Sequence, residues 1–288
     1  MPQVIPLESV PLIERQHVRE GVFRSRRILN GTPCTPGNFS LQIGNTPSYY
    51  SPRHRHNFDQ VRFQLEGDFD FATDGAMKPG SIAYFPEGTH YGPQTGNSHS
   101  ATLVLQFGGA SGSGYISPEQ YEQATAELAK SGTFAKGVYT RLKPDGGKIN
   151  KDAYEAVWEQ VNRRPLAYPP ERYLRPVFMD PTHFDWISVL GRPGVGSKLM
   201  GEFSERHTRI EFFKLAPQAA LHLDENSIYF VARGSGSVEA HDTNAALGGN
   251  GQPSFAAHTT VFLEIGEHAR ATATEETEIL HIRLPRFD

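Results

Sequence analysis

The stretch His54-Arg55-His56-Asn57-Phe58-Asp59-Gln60-Val61-Arg62-Phe63-Gln64-Leu65-Glu66-Gly67 alternates polar and apolar residues toward a closing glycine. Side chains of an extended strand point alternately to its two faces. With the pleat carried through the turn near residues 57–59, His54, His56, Gln60, Arg62 and Gln64 share one face, and Val61, Phe63 and Leu65 form an apolar stripe on the other. A second strand follows in Gly80-Ser81-Ile82-Ala83-Tyr84-Phe85, which runs into Pro86-Glu87-Gly88-Thr89-His90. Two imidazoles and an amide facing one interior, with a third imidazole after a turn, are donors of the kind that borderline divalent metals accept.

The same pattern recurs further along. Residues from His222 through Tyr229-Phe230-Val231-Ala232-Arg233-Gly234 align with the first stretch, and Thr260-Val261-Phe262-Leu263-Glu264-Ile265-Gly266-Glu267-His268 aligns with the second. The chain therefore reads as a duplication. In the second copy His222 and His268 take the outer positions, Asp224 replaces the second imidazole, and Ile228 or Tyr229 stands where Gln60 stood. A His222, Asp224 and His268 site is conceivable there, but the apolar run from Ile228 to Val231 favours a structural half. The extra length of this copy, Leu247 to Pro253, reads as a hairpin loop.

Short alternating strands account for most of the rest, among them Phe39–Ile43, Ala101–Phe107, Ile210–Leu215 and Ile279–Leu284. The middle differs. Ser117-Pro118-Glu119-Gln120 is a capping box with proline at the first helical position, and Asp152 with Glu155 three residues on opens a second helix. The expected order is a strand domain over 1–110, a helical connector over 111–176 and a second strand domain over 177–288. Gly108 to Gly114 lacks the lysine of a phosphate cradle and reads as a flexible exit from the first domain.

The 288 residues include 38% hydrophobic and 21% charged side chains and carry a formal charge of -4, which provides no global field for nucleic acid or anionic lipid. One cysteine, Cys34, excludes an intramolecular disulfide framework and a cysteine-based metal site. The N-terminus has no basic segment followed by an apolar run, and no uninterrupted run of about 18 apolar residues occurs, so a cytoplasmic protein is the expectation. Arg24, Arg26 and Arg27 read as a solvated basic face, and His99 as a surface or supporting histidine.

Residues 54–67 and 80–90 resemble the two motifs of the cupin superfamily, a spaced His-x-His with a further ligand and a closing Gly, then Pro-x-Gly with a His. Through the repeat, the resemblance extends to a bicupin. It implies an all-β fold of two double-stranded β-helix (jelly-roll) barrels joined by a short helical connector. Carried over by position, it gives His54, His56, Gln60 and His90 as ligands of one divalent transition metal (Fe, Mn, Ni or Zn). Gln60 stands where the family usually has Glu. A neutral amide leaves the ion its full charge, which favours an anionic ligand, and Arg62 is the residue to pair with that anion, or else is held in an ion pair or sits at the rim.

The resulting expectation is a metal-dependent enzyme acting on a small oxygen-rich carboxylate, enol or carbonyl compound by Lewis-acid or dioxygenase-type chemistry. The alternative is a non-catalytic small-molecule-binding or structural bicupin. The partner expected is a small molecule, not nucleic acid or membrane. The stripe of Val61, Phe63 and Leu65 must be covered, either by the second barrel or by another subunit in a homodimer.

Overall fold

The computed structural model describes residues 1–16, 22–45, 47, 49–96, 99–240 and 253–287. Except for Pro253, the expected hairpin loop at 247–253 lies outside them. Strand β1 (Gln3–Pro6) opens the chain. Then come β2 (Leu12–Gln16), β3 (Val22–Asn30), β4 (Phe39–Asn45), β5 (Tyr50–Ser51), β6 (Phe58–Glu66), β7 (Phe69–Asp70), β8 (Ala76–Met77), β9 (Ile82–Phe85), β10 (Gln94–Thr95) and β11 (Ala101–Gly108). The middle holds α1 (Pro118–Ala129), β12 (Gly132–Ala135), β13 (Val138–Leu142), β14 (Lys148–Asp152) and α2 (Ala153–Asn162). The remainder is β15 (Val177–Met179), β16 (Ile187–Ser188), β17 (Val195–Glu202), β18 (Arg209–Leu215), β19 (Ala220–Leu223), β20 (Ser227–Arg233), β21 (Gly236–Ala240), β22 (Ser254–Phe255), β23 (Thr259–Leu263), β24 (Ala269–Ala273) and β25 (Thr277–Arg283).

These elements form two compact units, residues 12–180 and residues 1–11 with 181–288. The first contains a seven-stranded sheet ordered β15-β9-β6-β11-β4-β3-β2 and a four-stranded sheet ordered β5-β10-β7-β8. The second repeats the plan with β1-β23-β20-β25-β18-β17-β16 and β19-β24-β21-β22. Each is a double-stranded β-helix, and the fold is the bicupin expected. In the first barrel Phe69 and Met77 from the smaller sheet meet Ala83 and Phe85 from the larger. In the second, Leu221, Val238 and Ala271 meet Tyr229, Val261 and Ile279, so the interior is filled with apolar side chains.

The compact units and the expected segments 1–110, 111–176 and 177–288 have different boundaries. β1, adjacent in sequence to β2, pairs with β23 of the second barrel, while β15 pairs with β9 of the first. Composition cannot show this, because strands of three or four residues pair equally well in either place until the edges of β9 and β23 select them. The middle segment is also more than helical. A three-stranded meander, β12-β13-β14, separates α1 from α2. Its lysines, glycines and Asp145 hid the alternation.

Both helix starts are as the sequence indicates. Ser117 accepts from the Gln120 N–H while the Gln120 side chain accepts from Ser117 N–H, and Asp152 accepts from the N–H groups of Tyr154 and Glu155. Ala124 of α1 and Tyr154, Val157 and Trp158 of α2 pack against Phe58 of β6 and against Tyr115 and Ile116 in the segment leading from β11 to α1. The helices therefore belong to the first unit and cover one end of its barrel. Among the described residues, no helix is long and apolar enough to cross a membrane.

Candidate small-molecule site in the first barrel

His54 lies just before β6, where its backbone forms a bridge with Tyr91 through hydrogen bonds of 3.1 and 2.9 Å. Residues directly opposite in such a pair project to the same face. Tyr91, 1% exposed, thus joins His54 in the barrel, and His90, one residue earlier, turns out. There the His90 ring pairs with Glu171 at 3.1 Å, with its side chain 46% exposed. His90 is not brought together with the other expected ligands. A shift of one residue in a strand exchanges its faces.

The buried rings of His54 and His56 stand edge to face with centroids 4.8 Å apart. His56 stacks on Phe58 at 4.4 Å and meets the Tyr154 ring of α2 at 5.0 Å. Gln60, 1% exposed, lies between the histidines and Arg62. Its Oε1 accepts from Arg62 Nε and Nη2 at 3.2 and 3.0 Å, and its Nε2 faces His56 Nδ1 at 2.8 Å and the Tyr91 hydroxyl at 2.7 Å.

This network assigns the proton positions. A guanidinium only donates, so the Gln60 oxygen must face Arg62 and its amide nitrogen must donate toward His56 and Tyr91. Neutral His56 then accepts at Nδ1 and carries its hydrogen on Nε2. His54 takes the opposite tautomer, because its Nδ1 lies 2.6 Å from the Pro52 carbonyl, which only accepts. The pair presents one imidazole with its lone pair at Nε2 and one with its hydrogen there.

Such a donor set does not fit the transition metal implied by the family resemblance. The Gln60 oxygen is taken by Arg62, His56 holds a hydrogen on the ring nitrogen it would need for ligation, and His90 lies outside. A guanidinium beside the site also repels a cation. Among the described residues, no three His, Cys, Asp or Glu side chains converge on a metal-sized space.

A cavity of about 390 Å³ surrounds these residues, lined by His54, His56, Arg62 and Tyr91, by barrel side chains such as Phe23 and Tyr115, and by Tyr121, Thr125 and Tyr154 of the helices. Arg62 is half-buried there. Its guanidinium lies 4.8 to 5.9 Å from the ring centroids of Phe69, Phe71, Phe85 and Tyr91. Its hydrogen-bond acceptors are two amides, Gln60 and Gln94, the latter at 2.8 Å. No carboxylate pairs with it among the described residues, so its charge remains uncompensated inside the barrel.

A buried carboxylate cluster lies behind β6, and the sequence reading missed it. Asp59 accepts from the Tyr84 hydroxyl at 2.7 Å and from Glu87 N–H at 2.8 Å. Burial, with smaller opposing effects, pushes its pKa up to about 7. Glu87 accepts from the N–H and hydroxyl of Ser111 at 2.8 and 2.6 Å, and Ser113 donates to the Asn57 carbonyl at 2.6 Å. The segment 108–114 is therefore pinned to the barrel, contrary to the flexible exit expected. Gly109 is required there, since a Cβ would lie 2.2 Å from Glu87 Oε2. Arg27 likewise departs from a solvated face, its side chain being 13% exposed and paired with Glu119 and Glu122 of α1. Exposed His99 does not line the cavity.

Strand pairing corrects the alignment of the second barrel. Gln60 faces Phe85 and Ser227 faces Leu263, so Ser227 takes the place of Gln60 and Tyr229 that of Arg62. Leu223 faces Ala269 as His54 faces Tyr91, which turns His222 outward. His222 and Asp224 are exposed, and His268 matches the outward His90. The polar interior of this barrel is a different group. His281 Nδ1 lies 2.9 Å from Glu211, its Nε2 lies 3.0 Å from Ser227 Oγ, and Tyr229 stacks on its ring at 4.4 Å. Burial lowers the His281 pKa despite Glu211, and the ring is 1% exposed.

No protein-family model and no curated protein matches the chain. Solved structures do. A candidate dioxygenase of Nostoc punctiforme aligns with a TM-score of 0.57 at 11% identity over 99% of this chain and 83% of its own. Oxalate decarboxylase of Bacillus subtilis, as a tryptophan-to-tyrosine variant, aligns at 0.54 and 11% over 98% and 77%. The Lactobacillus farciminis oxalate decarboxylase formate complex aligns at 0.54 and 11% over 99% and 87%. At such identity the likeness establishes the bicupin fold and leaves the chemistry to the site.

Proposed function

We propose that the first barrel binds a small organic acid, setting the carboxylate or enolate oxygens against Arg62 and the rest of the molecule among the aromatic side chains beneath α1. The observation that carries this reading is the uncompensated Arg62 charge in the cavity. Burial of an arginine normally requires a partner, and an anion supplies one with charge-assisted hydrogen bonds. His54 and His56, in complementary tautomers, lie beside that position and can accept and return a proton. The solved oxalate decarboxylases, one of them with formate, act on or hold small carboxylates and are consistent with this ligand class.

This reading assigns the cation's role to Arg62 and places no metal in the site. The test is calorimetric titration of the protein with a panel of organic acids and their neutral amides, before and after EDTA, with the metal content measured in parallel. Expected are acids bound in preference to amides, no effect of EDTA, and loss of acid binding in Arg62→Met. One equivalent of transition metal, with binding abolished by EDTA and by His54→Ala, would replace this reading with the metal-dependent one.

A further inference from the structure

Gln94 on β10 is 1% exposed and lines the same cavity. Its Oε1 accepts from Arg62 Nη1. Because arginine cannot accept, the amide cannot be turned over, and its Nε2 is committed to the other direction. That nitrogen is buried and has no hydrogen-bond partner. Folded proteins rarely leave a buried amide donor unpaired, so an acceptor inside the cavity, a ligand oxygen or a water, is called for here.

Of the five N–H donors of Arg62, three point to the Gln60 and Gln94 oxygens. Two remain. Together with Gln94 Nε2 they make a positively charged group of donors with no acceptor among them, and the two oxygens of one carboxylate match it. Beyond this group the wall presents the rings of Phe23, Tyr49, Phe58, Tyr115 and Tyr121, interspersed with aliphatic and amide side chains and Glu122. Rings of this kind pack edge to face or offset against a flat ring, and such pairs add to the stabilisation from buried area.

We infer that the ligand is an aromatic carboxylic acid and that Gln94 is a specificity-determining residue, its Nε2 donating to one carboxylate oxygen while Arg62 binds the other. This rests on the reading that Arg62 receives the ligand's anion. A neutral primary amide of the same shape would turn its own N–H donors toward these donors, leaving buried groups unpaired on both sides. Sites built on such pairing reject the mismatched analogue strongly.

The experiment titrates the intact protein with cinnamate, cinnamamide and hexanoate, comparing wild type with Gln94→Glu, Gln94→Leu and Arg62→Met. Gln94→Glu keeps an acceptor for Arg62 and the side-chain shape, so it maintains the fold if Gln94→Leu does not. Circular dichroism and melting temperature verify folding. Wild type is expected to prefer cinnamate over cinnamamide and over hexanoate by at least tenfold, and Gln94→Glu to lose the cinnamate preference over cinnamamide. Preference retained in folded Gln94→Glu would overturn the role of Gln94 while leaving that of Arg62 intact. Hexanoate bound as well as cinnamate would overturn the aromatic class. Cinnamate binding undiminished in Arg62→Met would overturn this inference together with the reading on which it rests.

Discussion

Gln60 shows how one amide decides the character of a site. Its oxygen is the acceptor that holds Arg62 in the barrel, and its nitrogen fixes the His56 tautomer. A carboxylate at this position would neutralise the guanidinium. Gln60→Glu is therefore expected to weaken organic-acid binding at least tenfold, equivalent to about 1.4 kcal/mol, with little change in melting temperature. Isothermal titration with the best acid of the panel measures this, and unchanged affinity would show that the Arg62 charge is not what the ligand meets. The histidines, Gln60 and Arg62 were legible as one face from alternation alone. Tyr91 and Gln94 were not, because His90 supplied a better match to a motif than the tyrosine beside it, and nothing in a Gly-Pro-Gln sequence announces a buried amide.

At the scale of elements, β6 carries chemistry on both faces. Asp59 faces away from the cavity and ties the strand to the turn after β9 through Tyr84 and Glu87. Its folded pKa of about 7 lies above the ordinary aspartate value of 3.8, so the fold favours the protonated acid. The stabilisation is then fully present below about pH 4 and is lost as the pH rises through 7, a window worth on the order of 4 kcal/mol. Denaturant melts between pH 4.5 and 8 should show stability falling across this range, with the slope flattened in Asp59→Asn. A slope identical in the two proteins would place the titration elsewhere.

Helix α1 depends on its cap in a comparable way. Ser117→Ala removes the acceptor for Gln120 N–H and should cost about 1 kcal/mol. Hydrogen exchange would report it as faster exchange in the first turn of α1, which carries part of the cavity lining. The helix starts themselves were readable, since a capping box is local chemistry. That the helices cover the cavity was not, because docking depends on Phe58, Tyr115 and Ile116, which are far from α2 in sequence.

Across the molecule, the two barrels share a plan and differ in use. The first keeps a cavity around Arg62. The second places Tyr229 on the corresponding rung and packs it against His281, closing the interior. Division by strand pairing predicts how the chain can be cut. Residues 12–180 retain β15, both helices and every residue of the cavity, so this fragment is expected to fold and to bind the organic acid with the affinity of the whole protein. Residues 1–110 lack β15 and the helices, exposing the edge of β9 and the Phe58 surface, and should fold poorly and bind weakly. Circular dichroism and titration of both fragments check this, and acid binding by 1–110 equal to that of 12–180 would deny the helices a role in the site.

The sequence by itself determined the β character, the duplication, the helix starts and the polar face of β6, because alternation and capping act between residues close along the chain. Only the tertiary structure decided which residue of each adjacent pair enters a barrel, where β1 and β15 pair, and that Arg62 bonds the Gln60 oxygen expected to face a metal. These outcomes depend on register between strands distant in sequence, and a shift of one residue there exchanges the inner face for the outer.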